Sequence, residues 1–138
     1  YFQDKNLNWT QFCTQKHNEQ STVRHIDDEK QLTFSSNYGD ALFRHLSPIR
    51  YQFPVFYGLF DQHIWIVMFD RTEGIRITHS PSGGGTNSQY QTTNPAWDFQ
   101  FITFDYQLDT EYGFKARIVY RPICSRECVV EEYMKWMD

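Results

Sequence analysis

Two runs of aromatic and β-branched residues, Val55 to Phe60 and His63 to Phe69, are separated by only Asp61-Gln62. Runs of this kind joined by two residues are a β-hairpin signal. The second run has no polar face, since Trp65, Val67 and Phe69 alternate with Ile64, Ile66 and Met68. Such a strand must be covered on both sides, so it is expected at the centre of a sheet with Trp65 in the core. Pro54 cannot donate to a ladder and belongs at a strand start or an edge.

The rest of the chain fits around that hairpin. Gly74 to His79 alternates, with Glu73, Ile75, Ile77 and His79 on one face and Arg76 and Thr78 on the other. Trp97 to Asp105 reads as a strand with Trp97, Phe99 and Phe101 on one side and Asp98 and Gln100 on the other. Tyr112 to Arg121 sets Tyr112, Phe114, Ala116, Ile118 and Tyr120 against Lys115, Arg117 and Arg121. Trp9 to Cys13 and Gln31 to Ser35 are short alternating strands. Between them Thr14 to Lys30, with His17, His25, Asp27 and Asp28, is polar without an apolar stripe and is predicted to be a loop. Asn37 to Leu46 predicts a short helix with Asp40 as its cap and Ala41, Leu42 and His45 in register, ended by Ser47-Pro48. Ser125 caps a predicted C-terminal helix (125–137). Its apolar side is Val129, Val130, Tyr133 and Met137, and Glu131 stands one turn before Lys135. The pattern predicts one all-β domain over residues 1–138, an antiparallel β-sandwich with a short C-terminal α-helix.

At 138 residues the chain is long enough for one core. A net charge of −4 gives no support to nucleic-acid binding, which needs a basic excess. No run of about 18 apolar residues is present, so no membrane-spanning helix is expected. Cys13, Cys124 and Cys128 are too few, and too badly spaced relative to His, for a zinc site, and no motif implies a cofactor. There is no initiator Met and no signal-like segment. Tyr1-Phe2-Gln3 reads equally as the tail of a protease-cleavage tag or as a native strand cut mid-way, and a missing N-terminal portion fits the second reading. The lone sequon Asn8-Trp9-Thr10 carries little weight. The compartment stays open, with a secreted or periplasmic location compatible.

Residues 80–96 form a long polar loop bracketed by His79 and Trp97, and loops of this length are usually functional or disordered. Gly83-Gly84-Gly85 lacks the residues of a phosphate-cradling loop and reads as a flexible tip. His79 is the candidate acid or base. Glu73 shares its face but lies about 20 Å away along a straight strand, so Asp98 or Asp70 is the natural partner. The alternative is a His that bonds the loop backbone. Asp70, Arg71 and Glu73 read as a ligand-contacting group or as a structural ionic turn. Arg76 and Arg117, with Asp98, Gln100 and Trp97, read as a polar sheet face for a sugar whose C–H face stacks on indole. With Lys115 and Arg121 added, that sugar would be a uronate or sulfate ester. An ordinary solvated face competes with this reading. No Gly-x-Ser-x-Gly elbow frames Ser80 or Ser82, so nucleophilic catalysis is not indicated.

The run Phe69-Asp-Arg-Thr-Glu-Gly-Ile-Arg-Ile-Thr-His-Ser-Pro-Ser-Gly-Gly-Gly85, with Asn94-Pro-Ala-Trp-Asp-Phe-Gln100 and Glu111-Tyr-Gly-Phe-Lys-Ala-Arg-Ile-Val-Tyr120, resembles a group of uncharacterised β-sandwich proteins of environmental bacteria. These are similar to carbohydrate-processing proteins of the galactose-mutarotase-like kind. The resemblance covers about the C-terminal two-thirds of the chain. It implies a His and a carboxylate working on a concave sheet face, roles that only His79 with Asp98 or Glu73 could take. Such sandwiches are about twice this length, which implies a fragment of a supersandwich or a reduced version. The expectation is therefore a carbohydrate ligand held by Arg76, His79, Trp97, Asp98 and Arg117, with Asp70 and Glu73 nearby, and catalysis left open. A structural or protein-interaction domain, self-associating or completed by the missing part of a larger chain, is the alternative.

Overall fold

In this computed structural model, which describes residues 1–16, 20–32 and 45–138, the hairpin forms as its sequence predicts. β5 (Val55–Phe60) and β6 (His63–Phe69) pair from Phe60↔His63 to Val55↔Met68, and Asp61 takes φ +51° to turn the chain in two residues. β11 (Ala116–Pro122) joins the free edge of β6, so β6 is the central strand of a three-stranded sheet. A four-stranded sheet lies against it, in the order β10 (Ala96–Phe101), β7 (Ile75–Ser80), β3 (Thr22–His25), β4 (Leu46–Tyr51).

Strand alternation divides the three-stranded sheet into two working faces. Phe56, Val67 and Phe69 point to the four-stranded sheet and share a core with its Val23, Tyr51, Ile75 and Ile77. Val55, Tyr57, Ile64, Ile66 and Met68 point the other way and bury Val129 of α1 (Arg126–Met137). The layers are sheet, sheet, helix. Two short strands close one side. β1 (Phe2–Gln3) pairs with β2 (Trp9–Thr10), and its flanks bond both sheets: Asp4 bridges Tyr51, while the Tyr57 amide donates to the Tyr1 carbonyl. Phe2 is only 1% exposed and belongs to the core.

The all-β sandwich with a C-terminal helix stands, with four corrections of detail. β3 and β4 run parallel, so the four-stranded sheet is mixed rather than purely antiparallel. β3 lies within the stretch predicted to be a loop. Its Thr22 and Arg24 are polar yet buried, and no period-2 apolar signal announced them. Residues 80–96 carry their own hairpin, β8 (Thr86–Asn87) with β9 (Thr92–Thr93), and Thr93 donates to the Pro81 carbonyl at its base. The strand predicted over Tyr112 to Arg121 begins only at Ala116, and Ile118 and Tyr120, on its apolar face, are 59% and 58% exposed. They face the correct side, but β11 is an edge strand that the opposite sheet does not reach.

The predicted helix from Asn37, the end of the predicted strand Gln31 to Ser35, and His17 lie outside the described residues; Leu46, placed at that helix's end, begins β4. Pro48 is tolerated there because β4 is an edge strand. The C-terminal helix forms over the predicted span, with the Ser125 hydroxyl accepting from the Cys128 amide. Its packed side is Val129, Tyr133 and Trp136, whereas Val130 and Met137 are exposed. Among the described residues no helix is long and apolar enough to cross a membrane.

Candidate functional site

The two sheets do not cover each other along their whole length, and a cleft of about 760 Å³ opens where they part. The three-stranded sheet contributes Gly58, Phe60, Trp65 and Ile118; the four-stranded sheet contributes His79, Trp97 and Phe99; the segment after β2 contributes Gln11, Phe12 and Cys13. The size suits a small-molecule site, and so does the lining of aromatic faces with a few polar groups. Gly58 is the reason the cleft has its shape. A Cβ there would stand 2.7 Å from Trp97 Cη2, so only glycine lets the indole lie across β5.

His79 is the polar group best defined within the cleft. It is 3% exposed, with the ring edge of Phe12 against it. The Thr14 backbone amide donates to Nδ1 at 3.1 Å, and the Thr14 hydroxyl lies 2.9 Å from the same nitrogen. A backbone N–H is a fixed donor, so Nδ1 must accept and the neutral ring carries its proton on Nε2. Nε2 stands 3.8 Å from Cys13 Sγ, a weak contact. Burial pushes the His79 pKa below its ordinary value, so the ring is held as a neutral donor.

The site residues expected from sequence separate into several places. His79 and Trp97 are directly paired across β7 and β10 and both line the cleft. Asp98 pairs with Thr78 and therefore points to the opposite face of the sheet, where it is exposed. It cannot orient His79, and the expected dyad does not form. Arg76 is 1% exposed and is consumed by Asp28, with Nε to Oδ2 at 2.7 Å and Nη2 to Oδ1 at 3.0 Å. Arg117 lies on the helix-facing side of the other sheet, 3.7 Å from Glu132, which Arg121 also engages at 2.7 Å. Asp70 accepts from the Lys115 amide and ties β6 to the entry of β11. Glu73 holds Arg71 at 2.7 Å in the turn before β7. The ionic-turn reading describes Glu73 with Arg71, whereas Asp70 is held by a backbone amide.

The sequence reading missed Gln11, Phe12, Cys13, Gly58 and Phe60 as cleft residues. A glycine inside an aromatic strand was the one available signal, since it marks a close approach. Among the described residues no group of three or more His, Cys, Asp or Glu side chains is placed to hold a metal ion. Compared with protein-family models, curated proteins and solved structures, the chain matches none.

Proposed function

We propose that the chain is a carbohydrate-binding domain whose site is the aromatic cleft, and that its ligand is a neutral saccharide unit rather than an acidic one. The observation that carries this reading is the placement of two indoles, Trp65 and Trp97, from opposite sheets along one open cleft. An indole covers the C–H face of a sugar ring, and the Nε2–H of His79 with the amides of Gln11 and Asn94 supplies donors at the wall for hydroxyl or ring oxygens. The guanidinium groups that would select a uronate or sulfate are engaged elsewhere, Arg76 by Asp28 and Arg117 near Glu132. A catalytic role has less support. Among the described residues no carboxylate bonds His79, and the ring is held neutral with Thr14 on its Nδ1.

The test is a titration of the intact protein with neutral and uronate oligosaccharides, read by tryptophan fluorescence. Neutral ligands should bind, and Trp97→Ala should weaken them by about tenfold, the worth of a stacking contact of about 1.4 kcal/mol. The alternative of a protein-interaction domain rests on a specific feature: Phe60, Trp65 and Ile118 of the cleft wall continue onto Tyr120 as an exposed apolar band. Failure of every saccharide, together with a concentration-dependent rise in sedimentation coefficient, would favour that second reading.

A further inference from the structure

The two walls of the cleft differ in chemistry. On the three-stranded sheet the inward positions run in cross-strand rows, Gly58 beside Trp65 and Tyr120, and Phe56 beside Val67 and Ile118. Of these, Gly58, Trp65, Val67 and Ile118 line the cleft together with Phe60. That wall is carbon except for one indole N–H, on Trp65. Tyr57 also borders the space, but its hydroxyl accepts from Arg126 Nε at 3.2 Å on the helix side of the sheet. The remaining hydrogen-bonding side chains of the cleft lie elsewhere. His79, Trp97 and Asn94 belong to the four-stranded sheet with its loop, and Tyr1, Gln11 and Cys13 to the N-terminal segment. Among the described residues no Asp, Glu, Lys or Arg lines the cleft.

A sugar ring carries hydroxyls all round its rim. Hydroxyls turned to the carbon wall would give up water without gaining a partner, and that costs free energy. A ligand that suits both walls is therefore polar toward His79 and apolar toward Trp65. The protein alone shows the complementary deficit: Phe60, Trp65 and Ile118 are 53%, 39% and 59% exposed, an apolar surface of the kind that marks a ligand groove. The cleft, at about 760 Å³, is also roomier than one hexose ring requires. We infer, building on the saccharide reading of the cleft, that its ligand is a glycoside carrying an uncharged, apolar aglycone. The sugar lies toward His79, whose Nε2–H donates to a hydroxyl or ring oxygen, and the alkyl or aryl aglycone covers Trp65 and Ile118. A charged aglycone does not fit, because an ion placed there would lose its hydration with no counter-charge on the lining.

The experiment titrates the intact protein calorimetrically with methyl and hexyl β-glycosides of glucose, galactose, mannose and N-acetylglucosamine, below micelle-forming concentrations. Hexanol alone is the control. Each methylene that leaves water completely is worth about fourfold in affinity. Against a half-open wall the hexyl glycoside should bind about 20-fold or more tightly than the methyl glycoside of the same sugar. Ile118→Thr keeps a β-branched residue on the edge strand and should cut that hexyl-to-methyl ratio severalfold. A second measurement covers a variant that does not fold. In the parent protein the hexyl glycoside should bind with a more negative heat-capacity change than the methyl one, as burial of apolar surface requires. Equal affinities for methyl and hexyl glycosides would overturn the inference and leave the saccharide reading standing. A ratio unchanged in a folded Ile118→Thr, or a gain without the heat-capacity change, would take the aglycone off this wall and overturn the inference as well. Hexanol binding as tightly as the hexyl glycosides, or no binding of any glycoside, would remove the saccharide reading and the inference with it.

Discussion

Gly58 lies beneath the indole of Trp97, so close that a methyl group at position 58 would come within 2.7 Å of Cη2 and 2.9 Å of Cζ2. The two residues belong to different sheets, and their contact sets how far the sandwich stays open at the cleft. Gly58→Ala should therefore push the indole outward, costing about 1–3 kcal/mol in denaturant unfolding, as overpacking does. The Trp97 emission should shift to the red as the ring moves toward water. Unchanged stability and emission would mean the indole has room to yield.

The Arg76–Asp28 pair lies under cover, with side chains 1% and 10% exposed. Removing one partner strands the other. Asp28→Asn should cost about 3–5 kcal/mol in chemical denaturation, and Arg76→Met a similar amount. The double variant should cost clearly less than the sum of the two, since neither leaves an uncompensated charge behind. Additive losses would show that the pair contributes little beyond the separate residues.

His79 gives stability a pH dependence of known sign. Burial holds its folded pKa below the ordinary value of 6.5, so between the two values the unfolded chain binds more protons than the folded one. Its contribution is complete above the unfolded pKa and is lost as pH falls toward the folded one. Below about pH 6.5 the parent should thus lose thermal stability faster than His79→Gln, whose side chain does not titrate. Parallel curves for the two proteins across the weakly acidic range would contradict the buried neutral imidazole.

What the sequence disclosed and what it withheld follow one physical division. The β5–β6 hairpin and α1 were legible because their signals are local: a two-residue turn between apolar runs, and Ser125 one position before the helix. β3 was not legible, since Thr22 and Arg24 are buried polar residues, and pattern reading assigns polar residues to water. Alternation on β7 and β11 correctly sorted which side chains share a face. It could not say which face is covered, and so it left Arg76 open to a ligand. In the fold Asp28, 48 residues earlier, closes over it. The long-range partner decides, and no spacing along the chain encodes it.

Cys124 should be the slow thiol. Burial, and next the neighbouring Cys128 thiol, raise its pKa from 9.0 to about 11. The thiolate is the nucleophile, so a rise of that size makes the reactive form about 100-fold scarcer at mildly alkaline pH. Timed iodoacetamide labelling with peptide mapping should find Cys124 modified about that much more slowly than a free cysteine peptide. Equal rates would place it in a more open environment than the fold gives it.

The last prediction separates the two kinds of aromatic residue on the three-stranded sheet. Phe56 and Trp65 belong to adjacent strands and point to the same side, where the other sheet lies. Phe56 is 1% exposed and packed by Tyr51, Phe69 and Phe99, whereas Trp65 is 39% exposed at the cleft. The sequence alone makes Trp65 a core residue, because it sits in an unbroken apolar run. The fold moves it to the wall of an open space, where truncation removes contact area but leaves little sealed cavity. Phe56→Ala should therefore cost about 3–5 kcal/mol, and Trp65→Ala markedly less, in spite of its larger side chain. The order should reverse for ligand binding: Trp65→Ala should weaken neutral saccharide binding more than a core truncation that still folds. A Trp65→Ala loss equal to that of Phe56→Ala would mean that the cleft is closed in solution and that this indole belongs to the core after all.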